Sequence, residues 1–145
     1  MSKVKRNDLH SIKTQLTNQS VFHDRVRELL LSSPILKDLK IFQEVNPRYL
    51  DDTYEFTGHH YDFYIESLDV IIECHGDQHY KFTNRGNIQY EEAQLQWKLS
   101  QKRDSTKKSF ALSKGLRYIE IPYSEKDKLT VDKLHELIFG DKNEK

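Results

Sequence analysis

Two short apolar segments in the middle of the chain constrain the fold more than any other feature. Residues 61–65 (Tyr-Asp-Phe-Tyr-Ile) and 70–74 (Val-Ile-Ile-Glu-Cys) are rich in aromatic and β-branched side chains. The four residues Glu-Ser-Leu-Asp separate them and are suited to a tight connection. This pattern is typical of two antiparallel strands joined by a short turn, so the sequence predicts a β-hairpin here.

The pairing within this hairpin predicts which side chains share a face. A turn centred between residues 67 and 68 places Asp62 opposite Glu73 and His60 opposite His75. Directly opposed side chains project from the same face, with their Cβ atoms about 5 Å apart. The other face would carry core side chains, namely Tyr61, Phe63, Ile65, Val70, Ile72 and Cys74. Opposed carboxylates repel, so we expect a cation to compensate them, and Mg²⁺ typically binds one or two carboxylates in this way.

The rest of the chain predicts one α/β domain over residues 19–140, with a polar arm at 1–18 and a polar tail at 141–145. Helices are expected at residues 20–32, 90–113 and 131–139, and strands at 41–45, in the hairpin and at 116–121. Residues 54–56 could add a further short strand. The order helix, three strands, helix, strand, helix predicts a mixed sheet with helices on its faces.

Composition excludes several classes of protein. The single cysteine excludes an internal disulfide and a multi-cysteine zinc site. No apolar run approaches the roughly 20 residues of a membrane span, and the first 15 residues lack the apolar core of a secretory signal. We therefore expect a cytoplasmic protein that does not contact membranes; a bacterial, phage or mobile-element setting is compatible with the sequence, which does not show the biological setting.

The charge balance points in two directions. The chain has 23 basic and 23 acidic residues, and this zero net charge favours a protein without a nucleic-acid role. The basic residues are nevertheless clustered in one stretch of the predicted long helix: Lys98, Lys102, Arg103, Lys107 and Lys108. Such a cluster is either a solvated helix face or a phosphate-binding surface.

Residues 73–79, Glu-Cys-His-Gly-Asp-Gln-His, begin at the end of the second strand of the hairpin and form a dense group of polar side chains. Several potential ligands or acid–base groups leave a buried strand and enter a glycine-containing turn. His79 is either a structural histidine or a general acid or base, a role that suits an unperturbed pKa of about 6.5.

Four segments together resemble one branch of a known nuclease superfamily. Residues 61–65, 71–80, 102–107 and 115–123 are similar, in order and spacing, to motifs of the very-short-patch-repair (Vsr-like) branch of the PD-(D/E)xK nucleases. The resemblance covers residues 61–123, about two-fifths of the chain. Members of this branch include homing endonucleases with an EDxHD active-site pattern and enzymes that nick DNA at mismatches. The resemblance implies a restriction-endonuclease-like αβββαβ core.

Carried over by position, the resemblance assigns roles to individual residues. Asp62 would be the central metal ligand, with Glu73 and Asp104 as the other acidic ligands of Mg²⁺, for which Mn²⁺ could substitute. His79 would match the motif histidine and transfer a proton. Lys107 would stabilise the charge that develops on the phosphate.

Two positions depart from the family pattern. His75 stands where many relatives carry an aspartate and where the usual lysine of the PD-(D/E)xK motif falls, so it becomes a catalytic candidate itself. The first glutamate of the EDxHD pattern belongs in the opening helix. There the period set by Phe22, Val26 and Leu30 places His23 beside the buried stripe.

The sequence therefore predicts a Mg²⁺-dependent endodeoxyribonuclease. DNA phosphates would be contacted by Lys98, Lys102, Arg103 and Lys108. A homodimer or a partner protein could select the target. Three alternatives stay open: a non-catalytic nucleic-acid-binding module that keeps the fold, a metal-dependent RNase, and a small interaction protein without a nucleic-acid role.

Overall fold

The structure is a computed structural model that describes residues 7–8, 21–75 and 89–140. Its strands are β1 (Asn7–Asp8), β2 (Ile41–Val45), β3 (Tyr61–Ile65), β4 (Val70–His75) and β5 (Arg117–Pro122). Its helices are α1 (Val21–Ser32), α2 (Tyr90–Ser113) and α3 (Val131–Phe139). Across these described ranges, no helix combines the length and the apolar character that crossing a membrane requires.

The strands lie side by side in one sheet, in the order in which they occur in the chain. Strands β1 to β4 pair antiparallel, whereas β5 pairs parallel to β4. A parallel neighbour requires a crossover connection, and α2 lies in the segment that provides it. The predicted mixed α/β class and the predicted order of helices and strands are confirmed. Strand β1 is an addition, since it falls in the stretch predicted as a polar arm; the rest of that arm and the polar tail lie outside the described residues.

Both faces of the sheet are buried, each against its own set of helices. On one face, side chains of α1 and α3 pack against alternate residues of the strands; this cluster includes Val26, Leu30, Phe63, Ile72, Ile121 and Leu134. On the other face, the cluster includes Phe42, Tyr61, Tyr64, Ile71 and Ala111, the last from α2. Burying one such large apolar side chain stabilises the fold by about 1.5–3 kcal/mol. Burial on both faces explains why the central strands read as almost continuous apolar runs.

The central hairpin has the predicted register. Phe63 pairs with Ile72, and Ile65 pairs with Val70. The turn is one 3₁₀ segment followed by Asp69 in the left-handed conformation, with φ 56°. Aspartate tolerates this conformation better than most residues because its short polar side chain forms local hydrogen bonds. The Asp69 carbonyl accepts a hydrogen bond from the Arg117 backbone N–H at 2.9 Å, which ties the turn to the start of β5.

The predicted alternation of side chains fails at the start of β3. Tyr61 was expected on the face of Phe63, but it packs with Tyr64 on the α2 face. In the neighbouring strand, Val45 also packs on that face, directly after Glu44, whose φ of 54° is left-handed. A left-handed residue reverses the simple alternation of its own strand, here β2, and Tyr61 shares the new face because it pairs with Val45. For a residue other than glycine this conformation costs roughly 1–2 kcal/mol. Sequence periodicity cannot reveal such a kink.

The expected strand at residues 54–56 is wrong. The Asn46 amide Nδ2 donates to the carbonyls of Phe56 (3.3 Å), Thr57 (2.9 Å) and His59 (2.8 Å). Its Oδ1 accepts from the Arg48 backbone N–H at 2.8 Å. Because one side chain uses these carbonyls, the segment between β2 and β3 is held as a compact loop rather than as part of a sheet.

Candidate metal centre and neighbouring ion pair

Asp62 is fixed between two elements at the end of the hairpin. Its Oδ2 accepts a hydrogen bond from the Cys74 backbone N–H in β4 at 2.7 Å. Its Oδ1 lies 3.6 Å from Nδ1 of His23, which belongs to the first turn of α1. The ring of His23 stacks on Phe63, with 4.5 Å between the ring centroids. The carboxylate therefore has a defined direction, towards α1.

Glu44 completes a group of three metal-compatible side chains with His23 and Asp62. Its Oε2 lies 3.9 Å from His23 Nδ1. One ligand atom from each of the three residues lies within 4.8 Å of the other two. Among residues 21–75 and 89–140 this is the one such group of three or more histidine, cysteine or acidic side chains. Its two carboxylate oxygens and one imidazole nitrogen are donor types that divalent cations accept, so the residues fit a metal ion.

Gln43 sets the hydrogen-bonding state of His23. Its Oε1 lies 3.2 Å from His23 Nε2, and the two residues are 1% and 3% exposed. Because an amide oxygen only accepts, a hydrogen bond between these two atoms requires a proton on Nε2 of the imidazole. Nδ1 of the same ring consequently faces the carboxylates of Asp62 and Glu44.

Electrostatics within this group depends on burial and on mutual interaction. Burial lowers the pKa of His23, but the interactions with Asp62, Gln43 and Glu44 together outweigh burial, so the pKa lies above its ordinary value. Burial raises the pKa of Glu44, and the charge of Asp62 raises it further. Burial also acts to raise the pKa of Asp62, but His23 and the Cys74 N–H lower it overall. Two acids near one histidine leave a negative centre that a cation would stabilise.

Glu73 has a different environment, although it lies in the second strand of the same hairpin. Its Oε2 lies 3.0 Å from Nζ of Lys107 and accepts a hydrogen bond from the Tyr118 hydroxyl at 3.0 Å. The Lys107 ammonium also donates to the His60 carbonyl at 2.7 Å. Glu73 and Lys107 are 3% and 8% exposed, so this is a buried ion pair. Burial, and after it the charge of Asp62, raise the pKa of Glu73 to about 8, although Lys107 and Tyr118 act in the opposite direction.

The predicted set of acidic ligands is therefore only partly brought together. Asp62 lies in the metal-compatible group, but Glu73 does not, because Lys107 and Tyr118 hold its carboxylate towards α2. Asp104, on α2 one turn before Lys107, is also outside the group. Glu44 takes a place that the sequence analysis did not assign. The only sequence signal for it was an acidic residue inside a strand that is otherwise buried.

The other predicted catalytic residues lie around this centre or beyond the described ranges. The ammonium of Lys107 lies 3.0 Å from Oε2 of Glu73, and its predicted contact with a phosphate stays a prediction. His75 is buried at the end of β4, with Nδ1 3.8 Å from Oε2 of Glu120. His79 lies outside the described residues.

The predicted DNA-contacting side chains lie along α2, which is the long helix expected from the sequence. All four are exposed: Lys98, Lys102, Arg103 and Lys108. Lys108 also lies 3.4 Å from Oε1 of Glu120, an exposed pair that leaves the ammonium largely in solvent. Exposure of the cluster is compatible both with a solvated helix face and with a phosphate-binding surface.

Comparisons of the chain with protein-family models, with curated proteins and with solved structures find no match.

Proposed function

We propose that this protein is a metal-dependent endonuclease that hydrolyses DNA phosphodiester bonds, with a restriction-endonuclease-like αβββαβ core of the Vsr-like type. The observation that carries the proposal is the group formed by Asp62, Glu44 and His23 at the end of the central hairpin. The order α1, β2, β3, β4, α2, β5 supports the fold assignment. The position of Asp62, one residue into β3, supports its role as the central ligand.

The residues of this group would hold a divalent cation, Mg²⁺ or Mn²⁺. When bound, such an ion polarises a phosphate and lowers the pKa of a coordinated water molecule. Asp62 would be the rigid ligand, because the Cys74 N–H fixes one of its oxygens. Glu44 and His23 would complete the protein's share of the ligands.

Two further residues keep roles in the proposal. His79 remains the candidate for proton transfer, since it follows β4 by four residues in the sequence. Lys107 becomes a positioning residue, because its ammonium holds Glu73 at 3.0 Å.

Exposed basic side chains of α2 would contact DNA phosphates, so binding should weaken as the salt concentration rises. A homodimer or a partner protein would supply target choice.

Cleavage of supercoiled plasmid tests the proposal directly. We expect cutting with Mg²⁺ or Mn²⁺, none with EDTA, and a loss of about 100-fold or more in Asp62→Asn, the size of effect seen when one preorganised catalytic group is removed. Asp69→Asn is the matched control, because it makes the same chemical change at the exposed turn of the same hairpin. It should cut like the wild-type protein.

Other outcomes favour the alternatives. A folded protein that binds DNA without metal and cuts neither supercoiled, linear nor mismatched DNA would support a non-catalytic binding module. The buried Glu73–Lys107 pair favours that alternative. While the pair is formed, the Lys107 ammonium does not face a phosphate and the Glu73 carboxylate does not face a metal ion. Cleavage of RNA but not DNA would support a metal-dependent RNase. No binding to either nucleic acid at low salt would support an interaction protein.

A further inference from the structure

The metal-compatible group contains a nitrogen donor, which bears on the cation that it would select. We propose that His23, Glu44 and Asp62 form a site that prefers a first-row transition-metal dication over Mg²⁺, with Gln43 positioning the His23 ring. This inference deepens the proposed nuclease function and rests on it for its biological meaning. The binding preference itself can be measured without cleavage.

The donor set is the first argument. Mg²⁺ prefers oxygen ligands and loses its water reluctantly, whereas an imidazole nitrogen favours first-row transition metals. With bonds of about 2.1 Å, two ligand atoms on one ion lie about 3.0 Å apart in adjacent octahedral positions and about 4.2 Å apart in opposite ones. The distances from His23 Nδ1 to Asp62 Oδ1 (3.6 Å) and to Glu44 Oε2 (3.9 Å) fall in this range. Small side-chain movements would suffice to bind an ion.

The orientation of His23 is the second argument. Histidine ligands of metals commonly donate their other ring N–H to an oxygen, which fixes the ring and directs the remaining nitrogen at the ion. Gln43 Oε1 accepts from Nε2 in this way, in a setting where Gln43 is 1% exposed. The Gln43 amide nitrogen has no hydrogen-bond partner among the described residues. Within that part of the chain, the hydrogen bond to His23 is therefore the one that orients the amide.

The charges around the group are the third argument. The nearest buried cation in the neighbouring cluster, Lys107, is engaged by Glu73 at 3.0 Å and by the His60 carbonyl at 2.7 Å. Its ammonium is therefore directed at Glu73 rather than at Asp62 or Glu44. The carboxylates of Asp62 and Glu44 are therefore left to bind a cation.

Electron paramagnetic resonance with Mn²⁺ as the probe tests the site on the full-length, metal-free protein. A titration gives the dissociation constant of Mn²⁺, and competition gives that of Mg²⁺. We expect Mn²⁺ to bind roughly 100-fold more tightly than Mg²⁺. Electron spin echo modulation should show coupling of the bound ion to an imidazole nitrogen in the wild-type protein, which needs no variant to fold.

Substitution of the nitrogen donor should reduce the preference for Mn²⁺ over Mg²⁺. His23→Glu replaces it with a carboxylate oxygen, so nitrogen coupling should disappear and the preference for Mn²⁺ over Mg²⁺ should fall to about tenfold or less. The matched control is His135→Gln. His135 bonds to Ser33 beyond the far end of α1, about 15 Å along the helix from His23. This variant should keep both the coupling and the preference.

Two variants of Gln43 separate positioning from packing. Gln43→Met keeps the size of the side chain but removes the acceptor, so Mn²⁺ binding should weaken about 10-fold, as is usual when the partner of a histidine ligand is lost. Gln43→Glu keeps an oxygen acceptor and should retain wild-type affinity or exceed it. Equal weakening in both variants would show that Gln43 acts only through packing and would overturn its positioning role.

Failure of this inference is distinguishable from failure of the nuclease proposal. Mn²⁺ bound without nitrogen coupling, equal affinities for the two ions, or no Mn²⁺ binding by the folded protein would each overturn the transition-metal site. Plasmid cleavage that proceeds equally well with Mg²⁺ would leave the nuclease standing in the first two cases. Nitrogen-coupled, Mn²⁺-selective binding with no cleavage of any DNA would support the site and contradict the nuclease.

Discussion

Two acidic centres lie beside each other at the end of the central hairpin, and they balance charge in opposite ways. Glu73 has a lysine ammonium at 3.0 Å and a tyrosine hydroxyl at 3.0 Å, so the fold supplies its counter-charge. Asp62 has a second acid, Glu44, and a histidine between them. One centre is neutralised from within, and the other gains from a cation taken from solution. An acidic residue is thus identified as structural or ligating by its partners, not by its position in a motif.

The comparison can be tested first on the neutralised centre, where the largest effect is expected. At pH 9, above the raised pKa of Glu73 (about 8), Lys107→Met leaves the buried Glu73 carboxylate without its counter-charge, and breaking a buried pair from one side costs about 3 kcal/mol. Urea denaturation of the metal-free protein measures the change in the free energy of unfolding. Lys108→Met is the matched control, because Lys108 is the exposed neighbour, and it should change stability by less than about 0.5 kcal/mol.

A double variant distinguishes loss of the charge from loss of packing. Lys107→Met combined with Glu73→Gln removes both charges and should recover most of the stability lost in Lys107→Met alone. If the double variant is as unstable as the single one, Lys107 stabilises the fold mainly through its aliphatic stem, and Glu73 is not neutralised in the way proposed here.

The loop between β2 and β3 gives the second test, with an intermediate effect. Asn46→Ala removes the donor to three carbonyls and should cost about 2 kcal/mol. The loop also supplies the His60 carbonyl to Lys107, so the change should disturb the Glu73 centre while Mn²⁺ binding at Asp62 persists. Urea denaturation and a Mn²⁺ titration measure the two effects.

Asn46→Asp serves as the control for this loop. It keeps the oxygen that accepts from the Arg48 N–H but cannot donate to the carbonyls when ionised. It should be at least as destabilising as Asn46→Ala. Stability close to wild type in Asn46→Asp would mean that the bond from Arg48, rather than the three carbonyl bonds, holds the loop.

The smallest effect is expected at the centre that lacks an internal counter-charge. Glu44→Gln removes repulsion from Asp62 and should stabilise the metal-free protein by about 0.2–1 kcal/mol at pH 8, while weakening Mn²⁺ binding. The folded-state pKa of Glu44 is raised above 4.5, first by burial and then by Asp62. The contribution of the Glu44 carboxyl to the stability of the wild-type protein is therefore fully present below pH 4.5. It is lost as the pH rises through the folded-state pKa.

The gain in Glu44→Gln should consequently shrink when denaturation is repeated at lower pH. Wild-type and variant proteins should converge as Glu44 becomes protonated in both the folded and the unfolded states. A variant that is less stable than wild type at pH 8 would show that Glu44 is compensated in the metal-free protein. The contrast between the two centres would then fail.

Sequence alone determined the three helices, the four longer strands and the place of Asp62 in the hairpin. Apolar periodicity and a four-residue connection were sufficient for the hairpin register, and the 3.6-residue period placed His23 beside the buried stripe of α1. These are local properties, because side-chain spacing and turn length are set by neighbours in the chain. The resemblance to Vsr-like nucleases is likewise a property of the sequence and stays a prediction.

Only the tertiary structure decided which side chains meet at the site. Glu44 reaches His23 through a left-handed backbone conformation inside a strand, and no residue pattern signals that kink. Glu73 turns towards α2 because Lys107 and Tyr118, more than thirty residues away in the chain, contact its carboxylate. Partners so distant are brought together by the packing of helices on the sheet. The division between a neutralised acid and an acid open to a cation is therefore a tertiary property.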